Sequence, residues 1–224
     1  MFQRVTPVTK ALIVANGVIF ALQYLSGSSA DFSDFIEYHF ALWPPQIGYP
    51  PFRPWQLLTY AFLHGNFLHL FFNALMLVQF GPRLENSLGR KRFIQFLVAC
   101  TLGAAATQLG VTSWMHASGM AIGPTVGASG YIYGILLAWA VLYPHDRVMM
   151  ILPPVEMSVR TMVMIFGGLE IFLGVTQTTQ GVAHFAHMGG MLFGWLLLRY
   201  WQGKPPFGKR KPPPPKKPHL RSVN

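Results

Sequence analysis

Apolar stretches recur along nearly the whole chain, interrupted by short polar or basic segments. They run roughly from Val8 to Leu25, Phe67 to Glu85, Phe93 to Gly110, Ala128 to Tyr143, Thr161 to Thr176, and Ala183 to Trp201. No Asp, Glu, Lys or Arg occurs from Phe93 to His145, and Glu170 is the only one from Thr161 to Leu198. A membrane-spanning helix needs about 20 mostly apolar residues, so the first of these uncharged runs has room for two spans and a loop. The pattern predicts an all-α polytopic membrane protein: a six-helix unit over residues 1–202, then a tail over 203–224. Hydrophobic segments recurring to residue 201 do not fit a secretory signal peptide.

Composition agrees. Of 224 residues, 52% are hydrophobic and 11% charged, against about 25% charged in a soluble domain. The basic residues also orient the helices, since loops rich in Lys and Arg stay in the cytoplasm. With both termini cytoplasmic, Arg4, Lys10, Arg83, Arg90, Lys91, Arg92, Arg147, Arg160 and everything from Arg199 onward fall inside. Only Arg53 falls outside, with Asp31, Asp34 and Glu37. Much of the net charge of +10 comes from the tail "GKPPFGKRKPPPPKKPHLRSVN", which is too proline-rich to build a core. That tail can touch anionic lipid headgroups. No aromatic interleaving or folded module supports a nucleic-acid partner. Cys100 stands alone, which excludes an internal disulfide and reads as packing.

The chemistry starts with a duplication. "HASGMAIGPTVGASGYIYG" carries Ala-Ser-Gly twice, around Ser118 and Ser129. The span from Ala128 to Tyr143 is only about 24 Å of helix, short of a hydrocarbon core of about 30 Å. Its start is therefore expected below the outer surface, with "GMAIGPTVG" dipping inward to meet it. Irregular backbone at that depth has to be buried in protein or line a water-filled cavity. Ser129 sits at that submerged helix start, whereas Pro124 and the neighbouring glycines keep Ser118 in the loop. Gly127 permits a sharp entry, Tyr133 shares the Ser129 face, and Gly130 with Gly134 form a small-xxx-small pair suited to close helix packing.

The last span repeats the device in "VAHFAHMGGMLFGW", where Gly190 and Gly194 are spaced alike. At about 100° per residue His187 lies near the face of both glycines and His184 does not. His187 is also about one turn inside its helix, at the expected depth of Ser129. In "FLHGNFLHLFFNALML", His69 and Asn73 share a helical face, and His64 is expected to point away. A serine needs a base near neutrality, and its oxyanion needs preorganised donors. Asn73, His69 and backbone N–H groups at the helix start can donate. No external Asp or Glu outside the first loop fits as a third member, so the expectation is a Ser-His dyad.

Together, "HGNFLHLFFN", "GASGYIYG" and "AHMGGMLFG" resemble the rhomboid family of intramembrane serine proteases. The family's HxxxN pattern is met by His69 and Asn73, its GxSG by Gly127 to Gly130, and its His-xx-Gly-xxx-Gly by His187, Gly190 and Gly194. "LENSLGRKRF" is also family-like, and the likeness covers roughly residues 5 to 200. The resemblance implies a six-helix rhomboid-like bundle with a submerged site, Ser129 as nucleophile and His187 as general base. It implies an oxyanion hole of His69, Asn73 and the backbone amides of Gly127 and Ala128, with Tyr133 packed on His187, and neither metal nor cofactor. Transmembrane protein segments would be the substrates, cut near the external face, and a bacterial inner membrane the location. Two features depart from the family: "FRPWQ" holds Arg53 and Trp55 apart and in reverse of the usual Trp-Arg order, and Glu170 matches no family catalytic residue. Glu170 is expected as a structural partner or facing a water cavity, with a tuning role in catalysis as the lesser alternative. Rival classes are an inactive family relative that binds membrane clients and a transporter; intact Ser129 and His187 disfavour the first, and the lack of internal repeats disfavours the second.

Overall fold

The computed structural model describes residues 4–25, 30–47, 51–150, 154–176 and 183–203. The basic tail, the loop at 177–182 and the placement of the Asp31 side chain, all expected on particular sides of the membrane, lie outside the described residues. Helix α1 runs Pro7–Leu25, α2 Ala30–Phe40, α3 Gln56–Thr59, α4 Phe67–Leu88 and α5 Arg90–Ala117. They are followed by α6 Ser129–Leu142, strands β1 Arg147–Met149 and β2 Glu156–Ser158, α7 Val159–Thr176 and α8 His184–Trp201. A long helix thus lies at each of the six apolar stretches.

Helices α1, α5 and α7 are long and apolar enough to cross a membrane, and α3 with α4 form a fourth candidate bent by 94°. This makes the chain a multi-pass, mainly helical membrane protein. The fourth and sixth stretches do not meet that length and hydropathy test, for different reasons. Helix α6 has only 14 residues, and α8 is diluted by two histidines, three glycines and Arg199. The lipid-like exterior is visible in exposed Phe71 and Phe72 on α4 and Phe172 and Val175 on α7, an apolar surface that a soluble monomer rarely shows. The hairpin β1–β2 was not anticipated. Its three-residue strands pair antiparallel, Arg147 opposite Ser158, and Arg147 Nε donates to Glu156 at 2.9 Å.

Two polar clamps fix the outer helices. Glu85 near the end of α4 accepts from the backbone N–H of Val8 and Thr9 at 3.0 and 2.9 Å and from the Thr9 hydroxyl at 3.0 Å. It also takes a short bond from Thr6 Oγ1. A carboxylate placed on the orphan donors of a helix start complements its dipole, so one buried side chain caps α1 from another helix. Beyond α6, Asp146 receives Arg83 and the Trp139 indole N–H, both at 2.9 Å.

The centre is held by small residues. A Cβ on Gly190 of α8 would collide with the Gly130 carbonyl of α6, and one on Gly130 would sit 2.7 Å from the Ala104 methyl of α5. Cys100 of α5 fills the notch between Gly134 and Gly194 and is wholly buried. Packing without a hydrophobic drive between helices depends on such close approach. Gly190→Ala should therefore lower stability by about 2–3 kcal/mol, as overpacking does. Gly168→Ala on α7, where an added Cβ meets nothing within 4 Å, should be neutral or gain up to about 1 kcal/mol of helix propensity. Thermal unfolding of both variants in the same detergent checks the contrast.

Candidate active site

Ser129 is the first residue of α6. The chain reaches it through a segment whose backbone is paired rather than bare: Leu42 and Thr125 exchange two hydrogen bonds of 3.0 Å, and Gly127 N–H donates to the Tyr60 carbonyl at 2.9 Å. Gly127 has φ 125°, and a Cβ there would run to within 2.7 Å of the His69 ring. Only glycine meets both conditions. Ala128 is fully buried beneath the turn. Ser118 lies elsewhere, exposed at the end of α5, with its hydroxyl donating to the Trp114 carbonyl at 3.0 Å.

Helix α8 brings His187 to this point because the Gly130–Gly190 contact removes the side chains that would hold the helices apart. The His187 Nε2 and Ser129 Oγ are 2.7 Å apart. The Tyr133 ring stacks on the imidazole with centroids 4.4 Å apart and planes 8° from parallel. The same tyrosine donates its hydroxyl to Glu170 in a short bond.

From α4, His69 abuts Gly127, and Asn73 is buried with its Nδ2 meeting no acceptor. A buried amide N–H without a partner costs about 1–3 kcal/mol, and this donor is free to take one. The start of α4 is capped by Asn66, whose side chain accepts from His69 N–H at 2.8 Å.

Three sequence readings need correction. His64 does not face away from His69: the rings meet edge to face at 5.1 Å, and His64 is buried. The helical periodicity used to separate them does not apply, because the chain breaks sharply after Phe62 and α4 begins only at Phe67. Gly127 supplies shape but no oxyanion donor, because its N–H is already bonded to Tyr60. And a carboxylate does stand beside His187. Glu170 Oε2 lies 2.9 Å from His187 Nδ1 and 2.6 Å from His184 Nδ1, with all three side chains buried. Counting loop charges missed it because α7 and α8 are antiparallel neighbours, so Glu170 is about 9 Å from its helix end by rise per residue and comes level with the first turn of α8. Its one legible signal was being the sole charge in a long apolar run. The ligating atoms of Glu170, His184 and His187 lie within 4.8 Å of one another, a donor set that could also hold a divalent ion.

The first loop is tied to itself. Arg53 Nη1 donates to His39 Nδ1 at 2.6 Å and stacks over the Tyr38 and Trp55 rings. Desolvation first, and the Arg53 charge second, hold the His39 pKa below its usual value. The reversed Arg53–Trp55 order is thus accommodated within the loop.

Comparison with known proteins gives the family. The family profile described as Rhomboid domain matches residues 51–202, and the chain belongs to the rhomboid family. It is 27% identical over 157 residues to Rhomboid protein 1, mitochondrial, of Saccharomyces cerevisiae, covering 64% of this chain and 42% of that one. It is 30% identical over 176 residues to RHOMBOID-like protein 4 of Arabidopsis thaliana, covering 74% and 39%. To YdcA of Bacillus subtilis, named as a candidate rhomboid protease, it is 26% identical over 149 residues, covering 64% and 65%. The chain spans about two-fifths of the length of the first two relatives.

The His64 contact yields a test. An aromatic pair is worth about 0.5–1.5 kcal/mol, so His64→Ala should slow reaction of Ser129 with a fluorophosphonate by about 3–10-fold by loosening His69. His64→Phe, which keeps the ring, should lose less. Labelling rates measured under one set of conditions check this order.

Proposed function

We propose that the protein is an intramembrane serine endopeptidase whose nucleophile is Ser129 and whose general base is His187. The observation that carries this reading is the 2.7 Å contact between Ser129 Oγ and His187 Nε2, at hydrogen-bond reach for proton transfer. Nε2 takes the hydroxyl proton as Oγ attacks the scissile carbonyl carbon. The carbonyl oxygen becomes an oxyanion, received by Asn73 Nδ2, His69 and the backbone N–H groups of Ala128 and Ser129. The C–N bond then breaks, and Nε2–H gives its proton to the leaving amine. Water, deprotonated by His187, attacks the acyl-enzyme carbonyl; release of the new carboxyl terminus restores Ser129. Tyr133 holds the imidazole in plane, and Gly130, Gly134, Gly190 and Gly194 set the distance between the two helices.

On this reading all six long helices cross the bilayer, both termini are cytoplasmic, and the site opens below the external face because α6 is short. Its natural setting is a bacterial inner membrane, and its substrates are transmembrane segments cut near their external ends. A helical peptide bond is shielded by neighbouring turns, so the substrate has to unwind locally. Gly and Pro lower that cost by about 1 and 3 kcal/mol relative to Ala. The crowded turn at Gly127, Ala128 and Gly130 favours a small residue before the cut.

Fluorophosphonate should label Ser129 in the purified protein. Labelling should vanish in Ser129→Ala and His187→Ala and survive in Ser118→Ala; loss in Ser118→Ala alone would contradict the assignment. Against a transmembrane substrate, Asn73→Ala and His69→Ala should each lower kcat by about 10²–10³ with little change in KM, the usual effect of removing an oxyanion donor. Replacing Gly and Pro near the cut with Leu should lower kcat/KM in bilayers; an unchanged value would remove the unwinding requirement.

A further inference from the structure

Glu170 is the one charged side chain in the apolar run of α7, and it is buried. An isolated carboxylate in that setting is costly, and such residues face a partner or a cavity. Here it meets three polar side chains from two other helices. Its Oε1 accepts the Tyr133 hydroxyl from α6. Its Oε2 faces Nδ1 of both His184 and His187 on α8, at 2.6 and 2.9 Å.

These contacts bear on which nitrogen of His187 carries the proton. For Nε2 to accept from Ser129, its lone pair has to be free, so the proton of the neutral ring sits on Nδ1. That Nδ1 is buried, and the carboxylate oxygen nearest it is Oε2 of Glu170. The approach is close in distance but oblique, with Nδ1–H not aimed along the line to the oxygen. Catalytic hydrogen bonds are often poorly aligned before substrate binds and tighten afterwards. Tyr133 supports both partners at once, stacking on the imidazole and bonding the carboxylate, which limits the freedom of the ring to turn over.

We propose that Glu170 is a positioning residue for His187, so that the site works as a Ser129–His187–Glu170 triad and not as a dyad. Its carboxylate accepts Nδ1–H, selects the tautomer with Nε2 unprotonated, and stabilises the imidazolium formed when the Ser129 proton arrives. It does not itself take up the proton. The alternative, that Glu170 only ties α7 to α6 and α8, predicts effects on stability without a selective effect on turnover. This inference rests on the protease reading of the site.

The test uses the full chain in lipid vesicles with a transmembrane substrate, comparing wild type, Ser129→Ala, Glu170→Ala, Glu170→Gln and Glu170→Asp, each normalised to its folded fraction. A triad predicts that Glu170→Gln lowers kcat by about 10²–10⁴ with KM nearly unchanged, as wrong-tautomer variants of such triads do. It also predicts that Glu170→Gln is no better than Glu170→Ala, because an amide N–H facing Nδ1 favours the wrong tautomer, and that Glu170→Asp regains part of the loss. Fluorophosphonate labelling of Ser129 should slow in the same order. If Glu170→Gln turned over within about threefold of wild type, or clearly faster than Glu170→Ala because its shape is kept, the positioning role would be overturned and the protease reading would stand. Undiminished cleavage by Ser129→Ala would instead overturn the protease reading itself.

Discussion

The Gly130 carbonyl of α6 lies where a side chain on Gly190 of α8 would have to be. Most of the site's geometry depends on that close approach. With any larger residue the helices would stand apart, and the 2.7 Å contact between Ser129 and His187 would open. The same approach lets Tyr133 reach the imidazole face and places Cys100 as the filler between Gly134 and Gly194. The geometry that the proposed proton transfer requires is thus set by backbone-to-backbone packing, the least adjustable kind of contact in a helical bundle.

A second constraint is the supply of hydrogen-bond partners where water is scarce. The segment leading into α6 is irregular, yet Leu42 and Tyr60 pair with its backbone. Glu85 gathers four donors at the start of α1. Among the buried polar atoms without a partner in the described residues, which also include both ring nitrogens of His64, Nδ2 of Asn73 is an amide donor on the same helix as His69. It is a donor whose acceptor, on the proposed mechanism, is the transition state. Glu170 belongs to the same economy of polar groups, serving two histidines and a tyrosine with two oxygens.

Helix positions were legible in the sequence because runs of apolar residues between basic loops leave few alternatives, and each of the six stretches carries a helix. That His187 and not His184 meets Ser129 could also be reasoned from helical face, since the two histidines differ in position around one helix. What was hidden depended on contacts between segments. His64 was misjudged because a bend before Phe67 breaks the periodicity. The Gly127 N–H was assigned to the oxyanion hole because nothing in the local sequence reveals that the Tyr60 carbonyl takes it. Glu170 was visible as an anomaly but not as a neighbour of His187, since antiparallel pairing of α7 and α8 sets their relative depth. The β1–β2 hairpin went unforeseen because two three-residue strands give too short an alternation to read.

The most direct measurement is an experimental structure of the protein after reaction with a fluorophosphonate in lipid or detergent. The account predicts phosphorus bonded to Ser129 Oγ, with the phosphoryl oxygen about 2.7–3.1 Å from Asn73 Nδ2 and a backbone N–H at the start of α6. It also predicts the His187 ring still stacked on Tyr133. An adduct on another residue, or a phosphoryl oxygen turned away from Asn73 and the α6 start, would contradict it.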